Sequence, residues 1–159
     1  GMFDISLGSA PDGWALSGHE LTKLSDRVRL DLGGIGKGHA VDLAVQKLCD
    51  LGCTAGWVNA GGDLRAFGET DVPLHLRREV SGGVRSFALL RDGAFATSAF
   101  GPEHRAQLVA HRTSRSTAAH VSVAAPLCLW ADALTKVVAG SGDAAHPLLA
   151  RYGAQAWLH

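Results

Sequence analysis

One segment constrains this chain more than any other: Asp31-Leu-Gly-Gly-Ile-Gly-Lys-Gly38. Before it, Val28 to Leu32 alternates and is rich in β-branched and apolar residues, which predicts a strand. After it, Ala40, Ala44, Leu48 and Leu51 recur at helical spacing and Gly52 supplies a stop. A strand that passes through glycines into a helix start leaves bare N–H groups and a positive dipole end facing outward. Glycine lets a ligand approach the backbone closely, and Lys37 adds a point charge suited to phosphate. The segment therefore predicts a diphosphate cradle, against the plainer reading of a glycine turn with a solvated lysine. Two familiar phosphate motifs fail. A Walker A loop would need glycine at Asp31 and a hydroxyl at Gly38, and the dinucleotide fingerprint from Gly34 would need glycine or alanine at His39.

The rest of the chain predicts an α+β fold, with a mixed, mostly antiparallel sheet and helices packed on it. Strands are expected at Ala55–Asn59, Leu64–Phe67, Leu74–Val80, Arg85–Leu90, Phe95–Ser98, Gln107–Ala110, His120–Ala125 and Ala154–Leu158. Asp92-Gly93 reads as a hairpin turn between its flanking strands. A helix is expected over Leu129–Gly140, and a short one near Pro147 with Asp143 as its cap. Strands run together after one β-α-β unit, so a doubly wound sheet is not expected. At 159 residues, with neither repeat nor linker, one domain over 1–159 is expected.

Fifteen basic residues balance fifteen acidic ones, so no global field would draw nucleic acid or an anionic membrane. No apolar run approaches the ~20 residues that span a bilayer. The N-terminus has neither a basic segment nor an apolar signal core; with Gly1 read as a tag remnant and Met2 as the start, the expected location is the cytoplasm. Cys49, Cys53 and Cys128 are an odd set without a zinc spacing, and Cys49 and Cys53 are expected to pack in apolar surroundings.

Two further segments carry polar groups in suggestive places. Val58-Asn-Ala-Gly-Gly-Asp-Leu-Arg65 ends a strand in a glycine turn. Its Asp63 either accepts from a ligand hydroxyl or holds its own turn by an Asx bond. On a helix, Asp132, Thr135 and Lys136 of Trp130-Ala-Asp-Ala-Leu-Thr-Lys136 stand on one face. Asp132 and Thr135 then offer hard oxygens to Mg2+, or Asp132 and Lys136 form a solvated i, i+4 pair.

The order of these pieces, with Ala96-Thr-Ser98 between the second and third, resembles the ApbE family, the FAD:protein FMN transferases once described as thiamine biosynthesis lipoproteins. The resemblance runs from about Val28 to about Val138. It implies a T-fold-like architecture and Mg2+-dependent transfer of FMN from FAD to a threonine or serine of a partner protein, with AMP released. It implies flavin-nucleotide contacts at Asp31, Gly33, Gly34, Lys37, Gly61, Gly62, Asp63 and Leu108. It also implies metal contacts at Asp132, Thr135 and the Gly34 carbonyl.

The chain departs from that pattern in three places. Lys136 stands where the family has a last metal-ligating threonine. An ammonium ~4 Å from Mg2+ at an effective dielectric of ~20 costs about 8 kcal/mol, so either Lys136 swings away or it takes the metal's place. Gln107 stands where the family carries an activating histidine, which leaves His104 and His111 as the candidates to act as base. Residues 1–30 are all that precede the glycine-lysine loop, where the family has a longer portion holding the ends of FAD, and a homodimer is one way to complete the pocket. Trp14, Trp57 and Trp130 are expected to pack in the core rather than against a ring. A flavin-nucleotide-binding module without transfer, or a protein that keeps only the fold, are the rival expectations.

Overall fold

The computed structural model describes residues 13–26, 32–77, 82–100 and 120–159. The expected strand at 107–110 and the end of the one at 74–80 lie outside the described residues, as does the expected strand at 28–32 except for Leu32, which stands in a 3-10 turn.

The described chain opens on a short hairpin that sequence patterning did not single out, β1 (Trp14–Ser17) and β2 (Glu20–Lys23). A single 3-10 turn at Leu32–Gly34 then leads into α1 (Gly36–Asp50). Next come β3 (Gly56–Ala60), β4 (Asp63–Phe67), β5 (Asp71–Arg77), β6 (Val84–Arg91), β7 (Ala94–Ala99) and β8 (His120–Ala125). The chain ends with α2 (Cys128–Ser141), α3 (Pro147–Arg151) and β9 (Gln155–Leu158). Every pairing among the described strands is antiparallel, in sheets β1-β2, β3-β4-β7-β8-β9 and β5-β6. The fold is α+β.

Alternation along the central strands assigns the two faces of the five-stranded sheet. Ala94, Ala96, Val121 and Val123 turn to one side, where they meet Val41 of α1 and Ala131, Leu134 and Val138 of α2. Leu64, Ala66 and Phe95 turn to the other and pack on Val72, Leu74 and Leu76 of the β5-β6 hairpin. Alanines at 94 and 96 leave α2 room to lie close to the strands. Phe87, Phe95 and Trp157 fill the second layer with ring centroids 5.3–6.3 Å apart.

The structure departs from several expectations. Asp92 does turn the chain, with φ of 36°, but β6 and β7 do not pair: β6 joins β5, while β7 inserts between β4 and β8. Turn chemistry specifies a reversal, and the partner is chosen by which face is buried. Cys49 and Cys53 are exposed, because the buried stripe of α1 is Gly38, Val41 and Val45 and its last turn runs past the core. Trp57 is 54% exposed on the edge strand β3 and Trp14 is also exposed. Trp130 is half-buried and stacks on Tyr152 at 4.1 Å. α3 begins at Pro147, capped by the His146 ring accepting from the Leu148 amide at 3.3 Å. Asp143 instead holds the preceding turn through the Ala145 amide, at 2.8 Å.

Two contacts lock α1 against α2. Asp42 of α1 accepts from the Cys128 and Leu129 amides at 3.0 and 2.8 Å, which caps the first turn of α2 with a carboxylate from another helix. Its charge is matched by Arg65 of β4 at 2.9 Å. Gly38 lies against the start of α2 so closely that a Cβ there would sit 2.3 Å from the Cys128 carbonyl oxygen. Among the described residues, no helix is long and apolar enough to cross a membrane.

Candidate functional site

The β3-β4 turn, the start of α1, the end of β7 and the second turn of α2 meet at one end of the central sheet. Gly61 and Gly62 both take positive φ, 63° and 100°, in a turn held by the Gly62 amide donating to Asn59 Oδ1 at 2.9 Å. Asn59, not Asp63, therefore makes the side-chain bond that shapes this turn. That leaves Asp63, fully buried as the first residue of β4, to face Lys37 of α1: Lys37 Nζ lies 2.8 Å from Asp63 Oδ2. Beyond this ion pair, neither Asp63 oxygen accepts a hydrogen bond among the described residues.

Asp132, also fully buried, is the hub of the α2 side. Its Oδ2 accepts from the Gly38 amide at 3.1 Å, one of the amides that a helix start leaves over. The other oxygen, Oδ1, pairs with Lys136. Lys136 points inward, only 14% exposed, and its ammonium also donates to Ser98 Oγ at 3.0 Å and to the Asp132 carbonyl at 3.1 Å. Thr135 Oγ1 donates to the Asp132 carbonyl at 2.7 Å and lies 2.9 Å from Ser98 Oγ. The stem of Lys136 runs beneath the 3-10 turn, where a Cβ on Gly34 would lie 3.3 Å from its Cε. So Gly34, Lys37, Asp63, Asp132, Thr135 and Lys136 come together, with Gly33 in the same turn as Gly34. Asp31, His104, Gln107, Leu108 and His111 lie outside the described residues.

Ser98 and Gly38 also belong to this cluster; both lie in segments the sequence marked out, but neither was expected as a site residue. For Ser98 the signal was available, since Ala94, Ala96 and Ser98 share a strand face and the hydroxyl breaks an otherwise apolar set. For Gly38 it was not, because a fourth glycine near a helix start reads as loop chemistry until its neighbour is known.

The charges interlock. Burial works against the charged form of Lys37, but the Asp63 contact and the Asp63 and Asp132 carboxylates outweigh it, raising the pKa above that of an ordinary lysine. Burial raises the Asp63 carboxyl pKa, the nearby Asp132 charge adds to this, and Lys37 offsets it only in part. Cys128, at the start of α2, is pushed up to about 12 by burial and then by Asp63, Asp42 and Asp132, so it is an inert thiol. Because the Asp63 pKa is raised, its ionisation costs stability, and the cost grows as pH rises through the raised value. Asp63→Asn removes that cost. Urea midpoints should show the variant gaining more over the parent at about pH 7 than at about pH 4; an equal difference at both would contradict the assignment.

The donor set does not fit a divalent metal. Of the side-chain oxygens expected to bind one, Asp132 Oδ1 is taken by the Lys136 ammonium, which also holds the Asp132 carbonyl and Ser98 Oγ, and Thr135 Oγ1 is turned to the Asp132 carbonyl. Among the described residues no group of three or more His, Cys, Asp or Glu could hold a metal ion.

On the opposite face of the sheet, at the same end, lies a cavity of about 590 Å³. Gly61, Gly62, Phe95, Thr97, His120 and His159 are among its lining residues. Thr97 and Ser98 are consecutive on β7, so one lines the cavity while the other meets Lys136. The wall is braced by Thr97 Oγ1 and Ser122 Oγ at 2.8 Å and by Ser122 Oγ and His159 Nε2 at 3.2 Å.

The sequence profile of the ApbE family matches residues 1–158. The chain belongs to the ApbE family. Its fold is shared with solved members. The Thermotoga maritima ApbE protein is 26% identical with a TM-score of 0.67, over 81% of this chain and 48% of that one. The flavin transferase ApbE of Vibrio cholerae is 22% identical with a TM-score of 0.62, over 78% and 44%. The apo flavinyl transferase ApbE of Pseudomonas stutzeri is 22% identical with a TM-score of 0.58, over 79% and 42%. The chain thus spans less than half the length of these solved relatives. No curated protein matches it.

Proposed function

We propose that this chain holds the diphosphate of FAD at the start of α1 and transfers the FMN moiety to a threonine or serine of a partner protein. The observation that carries this reading is the cluster at Lys37: two lysines, two buried carboxylates and a helix N-terminus at one sheet end, in a member of the ApbE family. Lys37 is half-exposed, so it can reach a ligand while Asp63 holds it in place. The first-turn amides of α1 other than that of Gly38, which Asp132 holds, supply N–H donors and a positive dipole end for an anion. Gly61 and Gly62 join this charged end to the 590 Å³ cavity, which offers a planar ring a place beyond the phosphates.

In the transfer, the acceptor hydroxyl oxygen attacks the phosphorus bonded to the riboflavin side of FAD. A new phosphoester bond forms, the bond from that phosphorus to the bridging oxygen breaks, and AMP leaves with the electron pair. The hydroxyl proton passes to a base. Lys37 and the α1 amides hold the phosphates in line and offset the charge that grows on the leaving oxygen, which is where such reactions gain most of their rate.

A second reading, a module that keeps the flavin nucleotide without transferring it, is favoured by Gln107 at the position of the family histidine. Incubation with FAD and an acceptor carrying the target threonine separates the two. A mass increase of one FMN on the acceptor supports transfer. A raised melting temperature with FAD and no mass increase supports the module. If FAD changes neither, both readings fail.

A further inference from the structure

We infer that Lys136 is a resident cation that makes the nucleotide site independent of a divalent metal. The inference rests on the reading that the start of α1 receives a diphosphate. An ammonium has three N–H donors, and here three oxygens receive them: Ser98 Oγ at 3.0 Å, the Asp132 carbonyl at 3.1 Å and Asp132 Oδ1. These oxygens come from a strand hydroxyl, a helix carbonyl and a buried carboxylate, a hard donor set of the sort a small cation takes. The ammonium satisfies all of it and, at 14% side-chain exposure, is shielded from exchange with solvent ions.

Two neighbours fix it there. Thr135 Oγ1, 2.9 Å from Ser98 Oγ, is itself bonded to the Asp132 carbonyl at 2.7 Å, so the oxygens around the ammonium are cross-braced. Gly34 lies directly over the lysine stem, where even a Cβ would crowd Cε at 3.3 Å. Lys136 is therefore built in beneath the 3-10 turn rather than swung out to solvent. With the Asp132 charge balanced from within the fold, a dication finds the oxygens around Asp132 already taken and no net negative charge between Asp132 and Lys136. Charge for the phosphates then comes from Lys37 and the α1 amides.

The test uses the whole chain and two probes, Mn2+ alone and FAD. Titration of the wild-type protein with Mn2+, followed by electron paramagnetic resonance, should show no site that depends on Asp132. Binding that is lost in Asp132→Asn would overturn the inference. FAD affinity should be the same in EDTA and in Mg2+; a fall of about tenfold or more in EDTA, the scale of ordinary coupling between two ligands, would overturn it as well. Lys136→Thr empties the oxygen set, and the variant should gain Mn2+ binding and a melting temperature that rises with Mg2+. A folded variant with no such gain also contradicts the inference. Should FAD bind neither protein, the nucleotide reading fails by itself, while the Mn2+ titrations still decide the role of Lys136.

Discussion

Gly38→Ala is expected to destabilise the fold by ~3 kcal/mol or more, at or beyond the upper end of the usual cost of overpacking. The added methyl would lie 2.3 Å from the Cys128 carbonyl oxygen, 2.7 Å from its carbonyl carbon and 2.9 Å from Asp132 Cβ. Two of the three are backbone, so no rotamer change relieves the clash, and the two helices must part. Parting them stretches the Gly38 amide from Asp132 and the Cys128 and Leu129 amides from Asp42. Helix propensity pulls the other way by about 1 kcal/mol, too little to compensate. Gly36→Ala is the control: among the described residues a Cβ there would meet only Leu32 Cβ, at 3.9 Å, so propensity should prevail and stability should hold or rise. Urea denaturation of both variants checks this; equal midpoints would show that the close approach of α1 to α2 is not a constraint.

Asp132→Ala comes next in size, with an expected loss of ~3–5 kcal/mol, the range for removing one partner of a buried ion pair. The loss has two parts. Lys136 is left at 14% exposure without its carboxylate partner, with the Ser98 hydroxyl and the residue 132 carbonyl as its acceptors among the described residues, and the Gly38 amide loses its carboxylate. Lys136→Met alone should also be costly, because it strands Asp132. The double variant should be much more stable than the two losses added together, since neither charge then remains unpaired. Additive losses in that double-mutant cycle would mean that the pair is not a unit. The Asp71–Arg91 pair on the surface, 48% and 71% exposed, provides a comparison: Asp71→Ala should change stability little, since solvent screens both charges.

These two residues also show how far the sequence could be read. Asp132, Thr135 and Lys136 share a helix face by spacing alone, and α2 shows them that way. Whether their charges were solvated or buried depended on what covers the face, and the cover is Ser98 together with the Gly34 turn, both remote in sequence. The bounds of α1, β3, β4, β7, β8 and α2 fall within a residue or two of expectation, but the buried face of α1 is Gly38, Val41 and Val45 rather than the expected Ala40, Ala44, Leu48 and Leu51. The partner of β6 was not legible, because Asp92-Gly93 encodes a turn and nothing about which sheet each arm joins. Nor was the role of Asp42. In the sequence it is one more polar residue on α1, and only the arrival of the α2 N-terminus turns it into a cap. Cys49, Cys53 and Trp57 were misjudged for a related reason: their residue types favour burial, but they stand at the end of a helix and on an edge strand.

The central claim is that the α1 start recognises phosphates, and calorimetric titration with FAD and with riboflavin tests it most directly. Riboflavin carries the same ring without the diphosphate. FAD should bind the wild-type protein much more tightly than riboflavin does, and Lys37→Gln should erase most of that advantage without unfolding the chain. Equal affinities for the two ligands, or a preference for FAD that survives Lys37→Gln intact, would contradict the account.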